Sequence, residues 1–174
     1  MDRSKAHVVV MNHQSLLDIL FVFTLFYPAK MMAKKALAAV PVVGWTLFLN
    51  DHIFIDRANR KSQIDALRRM DQLLLDGDSL MVYPEGTRTM DGNIAEFKKG
   101  AFRSAVSTGT SVLPVVIDGA FNALPRKTMV VKGCHTITMS VLPEIPVEKG
   151  SATADLALKC HDIMSAELRR LQQR

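Results

Sequence analysis

Four short apolar runs set the fold this chain can adopt: HVVVM, HIFI, SLMVYP and SVLPVVI. Each is too short for a stable helix and too uniformly apolar for a strand with one wet face, so each reads as a strand buried on both sides. Stretches of helical periodicity separate them. SQIDALRRMDQLLLDG places Ile64, Leu67, Met70 and Leu74 on one face, with a Ser62/Asp65 capping box at its start and Gly77 as its stop. IAEFKKGAFRSAVSTG reads as a helix ending at Gly109, and the segment Ala152 to Leu171 as a third, amphipathic one. SLLDILFVFTLFY, apolar on nearly every face, reads as a helix covered on more than one side and ended by Pro28. AKMMAKKALAAVPVVGWTLFL is expected to hold a short strand and one or two short helices broken at Pro41 and Gly44. TMVVKGCHTITMSVLPEI alternates like a hairpin or two edge strands turning at Lys132 and Gly133.

Strands alternating with helices imply an α/β fold: a mostly parallel central sheet flanked by helices, with antiparallel additions late in the chain. At 174 residues the whole chain, 1–174, is expected to form a single domain.

Composition removes several classes of function. The formal charge of +5 favours an anionic partner: nucleic acid, a phosphate-bearing molecule or an acidic membrane. Nucleic acid is the weakest of the three and is not expected, since no basic run exceeds three residues and aromatic residues, at 6%, leave little for base stacking. Cys134 and Cys160 stand far apart without CxxC spacing, and His7, His13, His52, His135 and His161 are scattered, so neither a disulfide framework nor a metal site is expected. The apolar window from Leu16 to Leu49 is interrupted by Asp18, by Lys30, Lys34 and Lys35, and by two prolines. No stretch there reaches the roughly 18 residues of a spanning helix, so no transmembrane segment is expected. The sequence also lacks GxSxG, GxxxxGK[ST] and GxGxxG, which sets aside serine hydrolases of the α/β type, P-loop enzymes and dinucleotide enzymes.

Polar residues with chemical potential collect just behind the strands. In NHQSLLD, His13 and Asp18 are five residues apart, about 140° around a regular helix, and would not meet on one. With the strand ending near Met11, His13 falls in the turn and Asp18 in the first helical turn, from which a carboxylate can reach back to orient an imidazole base. Ser15 and Asp18 also form a capping box, which explains both without any catalysis but leaves Asn12 and His13 unexplained. In YPEGTRT, Pro84 stops the strand, Gly86 permits close approach of a ligand, and Arg88 suits a phosphate; a solvated turn is the plain alternative. HIFIDRANR delivers Asp56, Arg57 and Arg60 in the same way, as phosphate ligands or as a surface pair leading into the next helix.

These blocks, in this order, resemble the glycerolipid acyltransferase family, which includes 1-acylglycerol-3-phosphate acyltransferases. NHQSLLD is similar to the family's NHxSxxD block, FIDR to its second, YPEGTRT to FPEGTRS, and LPVVI to a fourth in which a proline leads an apolar strand; FKKGAF fits between the last two. The resemblance implies His13 as general base and Asp18 as its orienting partner. It implies Arg57, Glu85, Gly86, Thr87 and Arg88 as ligands of a glycerol phosphate acceptor, and Pro114 as a residue shaping the acyl site. Asp51 replaces a glycine common in the family and is expected to alter the acceptor pocket; Tyr83 and Thr89 are milder departures.

The implied reaction moves an acyl group from acyl-CoA or an acyl-carrier protein to a lysophospholipid, foremost 1-acylglycerol-3-phosphate, giving phosphatidate without a further cofactor. Another lysolipid such as a lyso-ornithine lipid, a silent lipid- or carrier-binding module, and a thioesterase using Ser15 are the alternatives. Many relatives carry an apolar anchor ahead of the first block, a segment missing here: either it has been removed, or the chain meets membranes only through its surface, and peripheral association at the cytoplasmic face is expected. Lys30, Lys34 and Lys35 beside Trp45, Leu47 and Phe48 would suit anionic lipid, or else form core helices with a solvated lysine face.

Overall fold

The structure is a computed structural model that describes residues 5–19, 29–41, 43–56, 58–126, 128, 130–131 and 133–173. Its elements run β1 (Val8–Met11), β2 (Ala29–Lys34), a 3-10 turn (Lys35–Ala39), α1 (Val43–Leu49), β3 (Ile53–Ile55), α2 (Arg60–Leu75) and β4 (Ser79–Val82). A second 3-10 turn (Lys99–Phe102), α3 (Arg103–Thr108), β5 (Val112–Asp118), α4 (Ala120–Ala123), β6 (Thr138–Val141) and α5 (Thr153–Gln172) complete the order.

Six strands form one sheet in the order β3-β2-β4-β1-β5-β6. All pairs are parallel except β5 with β6, which places the antiparallel addition late in the chain. Both faces are covered, which is why the strands read as unbroken apolar runs. Val8, Val10, Leu80, Val82, Val112 and Val116 point to the side packed by α2, α3 and α5, where Met70, Ala105, Cys160 and Met164 meet them. Val9, Met11, Met81, Leu113 and Ile117 point the other way, toward Leu47 of α1 and Ala120 of α4. The centre of the sheet is β1, between β4 and β5, so the residue after Met11 emerges at the middle of the rim where the parallel strands end. That rim is where open α/β sheets bind ligands.

Several local expectations change. The expected helix over SLLDILFVFTLFY falls largely outside the described residues, which there include only Ser15 to Ile19. The next helix starts two residues before Ser62: Asn59 is its cap, its side chain accepting from Ser62 N at 3.2 Å, while Ser62 Oγ accepts from Asp56 N. Ile64, expected on the buried face, is 42% exposed.

Gly44 lies inside α1 rather than breaking it, because α1 presses so closely on the preceding turn that a Cβ there would lie 2.3 Å from Ala38 O. The helix expected over 94–108 is shortened to α3 and its 3-10 lead-in. Ala95 N is held by Glu85 Oε2 and Lys98 N by Pro84 O, which keeps the residues before Lys99 out of the helix. Gly109 does end it, in the left-handed region at φ 76°. The expected late hairpin is a single described strand, β6, paired with β5; Lys132 of the expected turn lies outside the described residues.

Candidate active site

Four consecutive residues behind β1 are fixed by bonds to four other parts of the chain. Asn12 Nδ2 donates to Ile117 O at 2.8 Å and its Oδ1 accepts from Ile117 N at 2.7 Å, so the side chain imitates a strand residue and pins the rim end of β1 to β5. His13 N donates to Glu85 Oε1 at 2.8 Å, and His13 O accepts from Thr89 N. Gln14 accepts from Phe121 N and donates to Gly92 O. Ser15 Oγ donates to Leu124 O at 2.8 Å and accepts from Leu17 N.

His13 and Asp18 do meet. His13 Nδ1 lies 2.7 Å from Asp18 Oδ2, with Asp18 fully buried and the imidazole 18% exposed. The same oxygen accepts from Gln14 N at 2.7 Å and Ser15 N at 2.8 Å, so three donors converge on it. A buried carboxylate oxygen that already accepts from two backbone amides makes Nδ1 the protonated ring nitrogen, which leaves Nε2 as the lone-pair nitrogen; the other oxygen, Asp18 Oδ1, is buried with no partner among the described residues. The capping and the catalytic readings of NHQSLLD are therefore one structure: Ser15 N to Asp18 is the capping contact, and it sets the turn that brings Asp18 under His13. Ser15 is itself fully buried with its hydroxyl proton given to a carbonyl, which removes it as a nucleophile.

Tyr83, immediately after β4, stacks on the imidazole with ring centroids 4.2 Å apart and planes at 25°. It was not legible as a site residue from sequence; the period-2 alternation of β4, which sends Met81 and then Tyr83 to the same side as Met11, is the one signal pointing to it. Burial, and secondarily the charge of Asp18, push its phenol well above the usual range, so Tyr83 stays neutral.

Glu85 is 4% exposed and braces the site from β4, holding His13 N through one oxygen and Ala95 N through the other. Burial raises its pKa above the ordinary 4.5, against the lowering effect of those two amides. Gly86, at φ 72°, favours glycine for the turn and not for space, since a Cβ there would displace only the end of the flexible Lys98 side chain. Arg88 brings a buried Nη1 that has no partner among the described residues, whereas Thr87 is exposed.

Arg57 lies outside the described residues; its neighbour Asp56 stands past the rim end of β3. Pro114 is buried within β5 opposite Val10, at the point where the β6 ladder ends and a missing N–H is tolerated. Asp51 precedes β3, at the other end of that strand from the rim. It adopts the left-handed φ of 53° that explains a glycine at this position, and pairs with Arg69 at 2.6 Å instead of entering an acceptor pocket.

A histidine oriented by a buried carboxylate at the rim of a parallel sheet is a geometry suited to general-base chemistry, and Arg88 follows in the turn after β4. The chain belongs to the acyltransferase family: residues 1–118 match the family described as Acyltransferase. It is 40% identical over 121 residues to a 1-acyl-sn-glycerol-3-phosphate acyltransferase of Chlamydomonas reinhardtii, a match covering 70% of this chain and 36% of the relative. A second such enzyme, from Borreliella burgdorferi, is 32% identical over 147 residues, covering 83% of this chain and 58% of the relative. The chain thus spans about a third to three fifths of the length of these curated relatives. The crystal structure of the 1-acyl-sn-glycerophosphate acyltransferase PlsC from Thermotoga maritima superposes with a TM-score of 0.83 at 30% identity, covering 98% of this chain and 68% of that one.

Replacing Glu85 with Gln is expected to change the pH dependence of stability in a defined sense. A carboxyl whose folded pKa is raised favours folding below its unfolded value, and that contribution is lost as pH rises through the folded value. Measured by urea unfolding, the parent should lose stability relative to Glu85→Gln as pH increases above about 4.5. A difference constant across that range would show that burial does not govern this carboxyl.

Proposed function

We propose that this chain transfers a fatty acyl group from a thioester to the free hydroxyl of a lysophospholipid, foremost 1-acyl-sn-glycerol-3-phosphate, giving phosphatidate. The observation that carries the reading is the 2.7 Å bond between His13 Nδ1 and Asp18 Oδ2, which fixes the tautomer a base requires. Nε2 takes the proton of the acceptor hydroxyl as its oxygen bonds to the thioester carbonyl carbon; the C–S bond then breaks and the leaving sulfur receives that proton from His13. No acyl-enzyme intermediate and no cofactor beyond the donor are needed. The buried Nη1 of Arg88, which has no partner among the described residues, supports an anionic acceptor, because a donor desolvated without a partner is costly and a phosphate oxygen would satisfy it. The relatives named as 1-acyl-sn-glycerol-3-phosphate acyltransferases support the same acceptor over a phosphate-free lysolipid. By the same resemblance Arg57, Glu85, Gly86, Thr87 and Arg88 serve the acceptor and Pro114 the acyl side; Glu85 acts by bracing His13.

His13→Ala is expected to lower transfer by at least about 10² to 10⁴ while leaving lysolipid binding and the folded state in place. Labelled acyl-CoA against a panel of lysolipids reads this out. Parent-like activity in the variant refutes the base, and acylation confined to phosphate-free lysolipids refutes the acceptor.

A peripheral membrane contact belongs to the same reading. No helix among the described residues is long and apolar enough to cross a membrane. Leu47 turns into the core, but Trp45, Phe48 and Leu49 of α1 are 66%, 74% and 81% exposed, beside the exposed Lys34 and Lys35. An apolar helix face rimmed by lysines fits an anionic bilayer. Lys34→Glu with Lys35→Glu should weaken sedimentation with phosphatidylglycerol vesicles by about tenfold or more, at roughly 1 kcal/mol per charge near the surface; unchanged sedimentation rejects this face.

A further inference from the structure

β1 and β4 are parallel neighbours in which Val10 pairs with Val82, so Tyr83 comes level with Met11 and is a diagonal neighbour of His13. Strand alternation sends Met81 and Tyr83 to one side of the sheet, and Tyr83 packs there against the cluster that holds Met11 and Met81. The outcome is a near-parallel stack of Tyr83 on the imidazole, with centroids 4.2 Å apart and planes at 25°. The hydroxyl adds nothing to that contact. It is buried with no partner among the described residues, and burial together with the charge of Asp18 keeps the phenol neutral. A group that neither donates to a neighbour nor releases its proton is no relay, so what Tyr83 offers His13 is its aromatic face.

That face matters because the charge of His13 changes during transfer. The ring is neutral when the acceptor arrives and becomes an imidazolium once Nε2 has taken the hydroxyl proton; it is neutral again when the leaving sulfur has received that proton. The face of an aromatic ring is the negative pole of its quadrupole, and it attracts a cation within about 6 Å of its centroid, most strongly where water is kept out. The imidazole side chain is only 18% exposed. The carboxyl groups around His13 act elsewhere: Asp18 meets the ring edge at Nδ1, and Glu85 holds the backbone N–H. Packing on Tyr83 favours the neutral and charged rings alike, whereas the quadrupole favours the charged one, and an interaction stronger in the transition state than in the ground state raises kcat. We propose that Tyr83 is a positioning residue for the transfer, its ring face holding the His13 imidazole and stabilising the imidazolium formed when Nε2 takes the acceptor's proton. The assignment rests on the general-base reading and deepens it.

The test varies the electron density of the ring at nearly constant shape. Position 83 is changed to Phe, to mono- and trifluorophenylalanine, and to Leu, and kcat and KM are measured with acyl-CoA and 1-acyl-sn-glycerol-3-phosphate. Tyr83→Leu should lower kcat by about tenfold, the size of a desolvated cation–aromatic contact, with either KM moving less than about twofold. Phe should restore most of that kcat, and fluorination should remove it again in steps. A series flat from Phe to trifluorophenylalanine, a loss that falls on KM, or a Phe variant as slow as Leu overturns the proposal. Proton NMR of the substrate-free protein reads the stack directly: the His13 ring protons should show a ring-current shift in the parent and the Phe variant that is lost in Leu, and a parent without it overturns the stack. Adding Tyr83→Leu to His13→Ala completes a cycle in which a ring acting through His13 costs little more. A full further loss in that background overturns the role of Tyr83 and leaves His13 as the base, whereas parent-like activity of His13→Ala refutes the base itself.

Discussion

Three N–H donors converge on one buried oxygen, Asp18 Oδ2: the ring nitrogen Nδ1 of His13 and the backbone amides of Gln14 and Ser15. The two amides would otherwise be open ends of a turn at the middle of the sheet, and a buried amide without a partner costs about 1–3 kcal/mol. The same oxygen that closes the turn orients the imidazole. Removing the carboxylate would therefore release the backbone as well as the base, and the chemistry cannot be separated from the local fold. The remaining bonds of the heptapeptide extend this outward, with Asn12 tied to β5, His13 to Glu85 and Gln14 to the 92 and 121 backbones.

The rim geometry follows from the strand order. Because β1 lies between β4 and β5, the turn after Met11 has the turn after β4 on one side and α4, which follows β5, on the other. Tyr83 and Glu85 come from the first and Phe121 and Leu124 from the second, so a short sequence at the sheet's centre is reached from both directions. Tyr83 caps one face of the imidazole, Glu85 fixes the backbone under it, and Nε2 remains for the substrate. Glu85 Oε2 holds Ala95 N and Pro84 O holds Lys98 N, which ties residues 95–98 to the turn after β4.

Much of this was legible in the residues, and the limits have physical causes. Strands buried on both faces announce themselves as apolar runs, so β1, β3, β4 and β5 could be read directly, as could the polar residues just behind them. The partnership of His13 and Asp18 was readable only as one of two meanings of a capping pattern, since the pattern carries no information on whether the carboxylate also faces a ring. Elements set by long-range contacts were less legible. The non-helical 94–98 segment is held by Glu85 and Pro84, whose effect on helix formation is not local. Gly44 reads as a breaker by propensity yet serves close packing against Ala38. Asn59 lost the cap assignment to Ser62 because both are good caps, and only the bond from Ser62 N decides between them.

The central claim is that Asp18 holds neutral His13 with its proton on Nδ1 and its lone pair on Nε2. Nitrogen-15 NMR of the imidazole, at a pH where His13 is neutral, tests this most directly. The account predicts a protonated Nδ1 with a strongly deshielded proton, an unprotonated Nε2, and loss of that fixed pattern in Asp18→Ala. A neutral ring carrying its proton on Nε2, or rapidly averaging between the two nitrogens in the parent protein, would contradict it.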